Sequence, residues 1–158
     1  MDITFKTDDG VFNYRVAGVI IHDGKILIMT DDRVKHFMLP GGRVGLFESS
    51  KEAVVREVAE ELSEELPIIR PLWINEGFFK QEWSGRKVHE LAVYYLLDGS
   101  SSSLIERGDE FTIREGDKLH TLKWVPVEKL KDEEFYPLFL KEKILNIPEH
   151  PEMMIEFE

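Results

Sequence analysis

From Gly41 to Glu65 the chain reads GGRVGLFESSKEAVVREVAEELSEE, and the spacing of its acids limits what the surrounding chain can build. Ser49 or Ser50 offers an N-cap and Glu52 falls in the first turn, so a helix of good formers starts here. At about 100° per residue, Glu57, Glu60 and Glu61 share roughly one third of the helix circumference. Val54, Val55, Val58 and Leu62 make the opposite stripe, which can be buried. Three carboxylates at i, i+3 and i+4 repel one another unless a cation sits among them. Hard divalent ions take oxygen ligands, and Mg²⁺ combines one or two carboxylates with water and phosphate oxygens. The preceding turn, Leu39-Pro40-Gly41-Gly42, can bring a backbone carbonyl to the same ion. The competing reading of a bare EVAEEL run is a solvated acidic face.

The full pattern narrows that choice. Gly42-x5-Glu48-x7-Arg56-Glu57-Val58-x-Glu60-Glu61 resembles the signature of the Nudix hydrolases. The family pattern then continues with Gly and an apolar residue, where this chain has Ser63 and Glu64. Gly normally supplies the left-handed cap, so with Ser63 the helix is expected to run a turn further and stop before Pro67.

The resemblance implies an α/β fold of the α+β type: a mixed β-sheet sandwiched between helices. It also implies hydrolysis of a diphosphate linkage, commonly in a nucleoside diphosphate joined to another group, with Mg²⁺ as cofactor and Mn²⁺ as its substitute. Carried over position by position, Glu57, Glu60 and Glu61 are the metal ligands, with the Gly41 carbonyl beside them. Glu57 can instead act as the base or its orienter. Glu48 is an accessory acid, and Arg56 orients the carboxylates by charge-assisted hydrogen bonds. A later acid often assists in this family. Glu90, Glu106, Glu110, Glu115 and Asp117 are all candidates, and the sequence does not choose among them. The rival from another class is a Nudix-like sensor that binds a nucleotide without cleaving it. An isoprenyl diphosphate isomerase on the same fold typically uses a catalytic cysteine, which this chain lacks. Nudix domains are often dimers, so a homodimer is among the expectations.

Composition sets the outer bounds. A chain of 158 residues with 42% hydrophobic content suits one domain, 1–158, with 148–158 as a C-terminal tail. A net charge of −11 makes a long nucleic acid a poor partner, while a small diphosphate substrate can still be bridged by Mg²⁺. The absence of cysteine excludes disulfides, thiolate catalysis and Cys-based zinc sites. MDITFKTDDG has no apolar signal region and no run is long enough to span a membrane, so a cytoplasmic protein is expected.

Around the helix the chain reads mainly as strands. Residues 3–7 and 11–22 precede an Asp23-Gly24 hairpin turn and a return strand over 25–30. The loop 31–36 carries Arg33, Lys35 and His36, which together with Arg43 can hold phosphate oxygens; a surface loop carries such residues just as often. Ile68 to Trp83 forms one or two strands, with Pro71 disfavouring a central position. Lys87 to Leu97 is a core strand in which either His89 or Glu90 faces the site. Leu104-Ile105 and Phe111 to Ile113 are short strands, and Leu119 to Val125 is the last one. Pro126 opens a short helix at its first position. A further helix covers Phe135 to Leu145, capped by Asn146. The apolar tail Met153 to Phe157 docks on the domain or on a second subunit. Phe12, Tyr14, Phe78, Phe79 and Trp83 can stack on a base or simply pack.

Overall fold

The long second strand is where the sheet branches. In the computed structural model, which describes residues 1–158, it runs over Val11–His22 (β2) and pairs with several neighbours. β1 (Thr4–Lys6) and β4 (Gly41–Arg43) lie antiparallel to its early part, β6 (Lys87–Leu97) runs parallel along Val11 to Ile20, and β3 (Lys25–Asp31) returns from the Asp23-Gly24 turn. Both turn residues have positive φ, 48° and 72°, as a two-residue hairpin requires. β7 (Glu110–Glu115), β8 (Lys118–Pro126), β5 (Ile68–Lys80) and β9 (Glu152–Phe157) complete a mixed sheet of nine strands, ordered β7-β8-β3-β2-β6-β5-β9 with β1 and β4 on β2. The mixed-sheet expectation holds.

Side-chain alternation along β2 then decides the layers. Val16 and Ile20 face α1 (Ser50–Leu62), joining Leu27, Val93, Leu122 and the helix residues Ala53, Val54, Val58 and Leu62 in one core. Ala17 and Val19 face the other way, where Ile26, Trp73 and Tyr94 pack under Leu130, Phe135 and Leu140. Only α1 is a long helix. The second layer is a 3₁₀ turn, Val127–Asp132, and α2 (Leu140–Lys143). No helix is long and apolar enough to cross a membrane.

Several sequence expectations need correction. α1 stops at Leu62, because Ser63 itself takes the left-handed conformation (φ 59°, ψ 27°) and its N–H closes on Ala59 O. Leu104 and Ile105 lie in a 3₁₀ turn, Ser103–Arg107, not a strand. Pro126 ends β8 and precedes the Val127–Asp132 turn as its cap rather than opening a helix at its first position. The helix expected from Phe135 to Leu145 shrinks to Leu140–Lys143 with Ile144 as its C-cap, and Asn146 lies beyond it, its N–H donating to Lys143 O at 3.2 Å. Before the helix Glu134 O and Tyr136 N–H bond to the backbone of Phe37, and Pro137 disfavours helix at Tyr136. Finally, β8 is not the last strand. Glu152–Phe157 adds to β5 in parallel from Trp73 onward, leaving Pro71 at a register shift beyond its reach.

Candidate functional site

β4 and α1 meet through two glycines. The register of β4 on β2 pairs Gly41 with Ala17 and Gly42 with Val16, and Gly18 N–H donates to Pro40 O. Antiparallel alternation therefore turns the N–H and C=O of Gly41 away from β2, toward the helix. The N–H donates to Glu61 Oε2 at 2.9 Å. A Cβ on Gly42 would sit 2.3 Å from the Glu57 carboxyl, and one on Gly41 would sit 2.1 Å from Val16 O. The glycine pair is thus a condition of bringing carboxylates against backbone.

At the other end of α1, Ser49 and Glu52 form a reciprocal capping box, with Ser49 N–H donating to Glu52 Oε2 at 2.9 Å and Glu52 N–H to Ser49 Oγ at 3.2 Å. One turn on, Arg56 grips Glu48 through Nε (2.6 Å) and Nη2 (2.9 Å) and donates to Glu57 Oε1 through Nη1 at 2.7 Å. Its Nη2 also reaches Arg43 O at 3.1 Å, tying the helix to the end of β4. The Arg56 guanidinium holds the Glu48 carboxyl down to about 2, helped by the Gly45 N–H. Glu48 is therefore a partner of Arg56 rather than a free acid.

Glu61 has no such partner. Burial pushes its carboxyl up to about 8, against the pull of Arg15 and of the Gly41 N–H; Glu57 and Glu115 push the same way as burial. Glu60 turns outward, its side chain half exposed and 3.6 Å from Arg56 Nη1. The structure therefore gathers Glu57 and Glu61 at the glycine pair but not Glu60, and no three acid or imidazole groups converge on one point. Two carboxylates and a backbone carbonyl, all hard oxygens, with one carboxyl desolvated and bonded to no cationic side chain, fit a small divalent cation.

The remaining predicted residues divide. Arg33 is exposed and bonds Asp31 Oδ2 at 2.9 Å, Lys35 is exposed with no ion pair, and the His36 ring lies 4.9 Å from Tyr136. Arg43 is exposed and only loosely paired, 3.8 Å from Asp2. Glu90 lies on the face of the sheet opposite α1 beside Asn13 and Arg15, and burial raises its carboxyl. His89 instead packs against Phe78, the ring centroids 4.4 Å apart and the planes tilted by 35°. Of the later acids, Glu106, Glu110 and Asp117 are exposed, while Glu115 accepts from His120 Nε2 at 2.9 Å and is felt by Glu61.

Two residues that matter here escaped the sequence reading. Arg15 stands directly opposite Arg43 across the β2–β4 pair, and its guanidinium has only Met38 Sδ, at 3.9 Å, as a hydrogen-bond partner. A cation inside VFNYRVAGVIIH was the available signal. His120 was equally legible, since it shares its strand face with the core residues Leu122 and Trp124.

The sequence model of the NUDIX domain matches residues 13–142. No curated protein matches the sequence. Among solved structures, an ADP-ribose pyrophosphatase from Streptococcus suis is 20% identical, with 91% of this chain and 98% of that chain covered and a TM-score of 0.56. A NUDIX hydrolase from Nitrosomonas europaea is 17% identical over 84% of this chain and 86% of that chain, with a TM-score of 0.59. A UDP-X diphosphatase is 14% identical over 90% of this chain and 66% of that one, with a TM-score of 0.58. At these identities the likeness is one of fold.

Proposed function

The chain belongs to the Nudix family of hydrolases, and from that premise we propose that it is a divalent-metal-dependent pyrophosphohydrolase of the cytoplasm. Its substrate in this reading is a small molecule in which a nucleoside diphosphate is linked to another group. ADP-ribose and UDP derivatives, which give two structural neighbours their names, belong to that class. The observation that carries the reading is the Glu61 carboxyl, desolvated against the Gly41 N–H, beside Glu57 and without a cationic hydrogen-bond partner.

In this reading Glu57, Glu61 and the Gly41 carbonyl would hold Mg²⁺ or Mn²⁺, and Glu60 would be the further ligand once released from Arg56. When bound, the ion neutralises phosphate charge and lowers the pKa of a water ligand. Arg56, anchored on Glu48, keeps the Glu57 carboxylate in one rotamer. Arg15 and Arg43, like charges facing each other across two strands, are each stabilised by a phosphate oxygen placed between them. Arg33 and Lys35 lie at the rim, and Glu90 contacts the group beyond the diphosphate. Glu115 accepts the proton from the attacking water, whose oxygen bonds phosphorus as the departing phosphate oxygen leaves.

The test is a panel of nucleoside triphosphates, nucleotide sugars, dinucleotides and nucleotide cofactors, incubated with and without Mg²⁺ and read by mass spectrometry. A Mg²⁺-dependent product lost in Glu61→Gln is the expected result. Nucleotide binding without any product would replace the enzyme by a sensor.

A further inference from the structure

Of the five histidines only His120 is buried, at 2% exposure. By strand register it sits between Asp31 of β3 and Ile113 of β7, on the face that α1 covers. Its Nε2 is 2.9 Å from Glu115 Oε1. An ionised carboxylate can only accept, so Nε2 carries the hydrogen and donates it. Nδ1 is buried without any partner. In the neutral ring that atom is a bare lone pair, which is less costly to bury than an unpaired N–H.

An apolar side chain would fill the same core position with no orphaned nitrogen. What the imidazole adds is direction. Glu115 ends β7, next to the Gly116-Asp117 turn, and a free glutamate there has three rotatable bonds and no fixed aim. Asp31 cannot supply the same restraint, because its carboxylate is bonded by the Arg33 backbone N–H at 2.8 Å and by the Arg33 guanidinium at 2.9 Å.

We propose that His120 is a positioning residue, a rigid buried donor that holds the Glu115 carboxylate toward Glu61 on the α1 face of the sheet. Glu115 then meets the reacting water in a single orientation, and loss of that orientation costs turnover rather than binding. The inference rests on the reading of Glu115 as the proton acceptor.

The test compares Glu115→Ala, His120→Leu, His120→Gln and the double variant Glu115→Ala/His120→Leu on a panel compound that the unmodified chain cleaves. Melting temperatures establish that each variant is folded, and ¹⁵N NMR of the histidine rings reads the Nε2–H tautomer without any substrate. His120→Leu is expected to lower kcat about 10²-fold with KM unchanged. His120→Gln, whose amide can donate in place of Nε2–H, restores most of it. In the Glu115→Ala background, His120→Leu costs nothing further. Full turnover in His120→Leu, a loss that multiplies onto that of Glu115→Ala, or a ring protonated only on Nδ1 would each overturn the proposal. Wild-type turnover in Glu115→Ala alone would instead remove the acceptor assignment on which the proposal stands, a failure visible before His120 is changed.

Discussion

Glu48 and Glu61 are the same side chain at opposite ends of one motif, and each accepts a backbone N–H from a glycine, Gly45 at 2.7 Å and Gly41 at 2.9 Å. They nonetheless titrate in opposite directions, Glu48 down to about 2 and Glu61 up to about 8. The difference is the cation. Arg56 closes a two-pronged grip on Glu48, whereas Glu61 feels Arg15 only through space and lies where burial penalises charge. One carboxylate is therefore scaffolding, its charge balanced within the chain. The other has no balancing cation within the chain, and without one it keeps its proton up to about 8.

The sharpest way to break this comparison is Glu61→Gln. Turnover is expected to fall about 10²–10³-fold, a loss typical of removing one preorganised electrostatic partner. Stability behaves the other way. Between the ordinary carboxylate value of 4.5 and about 8, the folded chain holds a proton that the unfolded chain has released. In chelator, the unmodified chain therefore loses stability as pH rises through that window. Glu61→Gln lacks this slope and should melt no lower at pH 8.5, as thermal scans at pH 5 and 8.5 would test. A variant that melts lower throughout would make Glu61 a structural group like Glu48.

Adding the missing charge is the complementary experiment. At pH 8, Mg²⁺ at about 100 times its Kd is expected to stabilise the unmodified chain by about 2.7 kcal/mol. The same addition should raise the melting temperature of Glu48→Gln nearly as much and that of Glu61→Gln far less. Equal shifts in both variants, measured by calorimetry, would erase the distinction between the two acids.

Glu48→Gln should act mainly on stability, by about 1–3 kcal/mol at neutral pH, since it leaves Arg56 with a broken grip. The sign of its pH dependence is opposite to that of Glu61. A depressed pKa stabilises the fold above the ordinary value of 4.5, and that contribution is lost as pH falls toward about 2. Acid titration of unfolding should accordingly show a shallower loss in Glu48→Gln. Identical acid curves would show that the Arg56 grip contributes nothing to folding.

The two acids also mark what the sequence could reveal. Spacing along a helix identified Glu57, Glu60 and Glu61 as a set, and apolar content with turn signals found β2, β3, β5, β6 and β8, because both are local features. Rotamers are not local. Apart from the i, i+4 spacing of Arg56 and Glu60, nothing in the sequence distinguishes Glu60, turned to Arg56, from Glu61, bonded to Gly41, since both sit on one helical face. What sets Glu115 apart from the exposed Glu106, Glu110 and Asp117 is its half-buried place near Glu61, which depends on β7 lying beside α1, a contact between distant segments. β9 was missed for a related reason. The segment EMMIEF reads as an apolar tail, and only the exposed edge of β5 makes it a strand.

Ser63 gives the smallest expected effect and tests whether the helix end governs the site. It holds φ 59° two residues beyond Glu61, a conformation that costs a non-glycine residue about 1–2 kcal/mol. Ser63→Gly removes that cost but restores freedom to the unfolded chain, so a net gain of about 0.5 kcal/mol is expected. The Ser63 N–H already closes on Ala59 O, and Leu62 is fully buried, so the last turn that carries Glu61 should not move. Turnover should then match the unmodified chain while the melting temperature rises slightly. A changed kcat with unchanged stability would mean that the strained serine sets the aim of Glu61, and that the contrast with Glu48 owes as much to backbone as to charge.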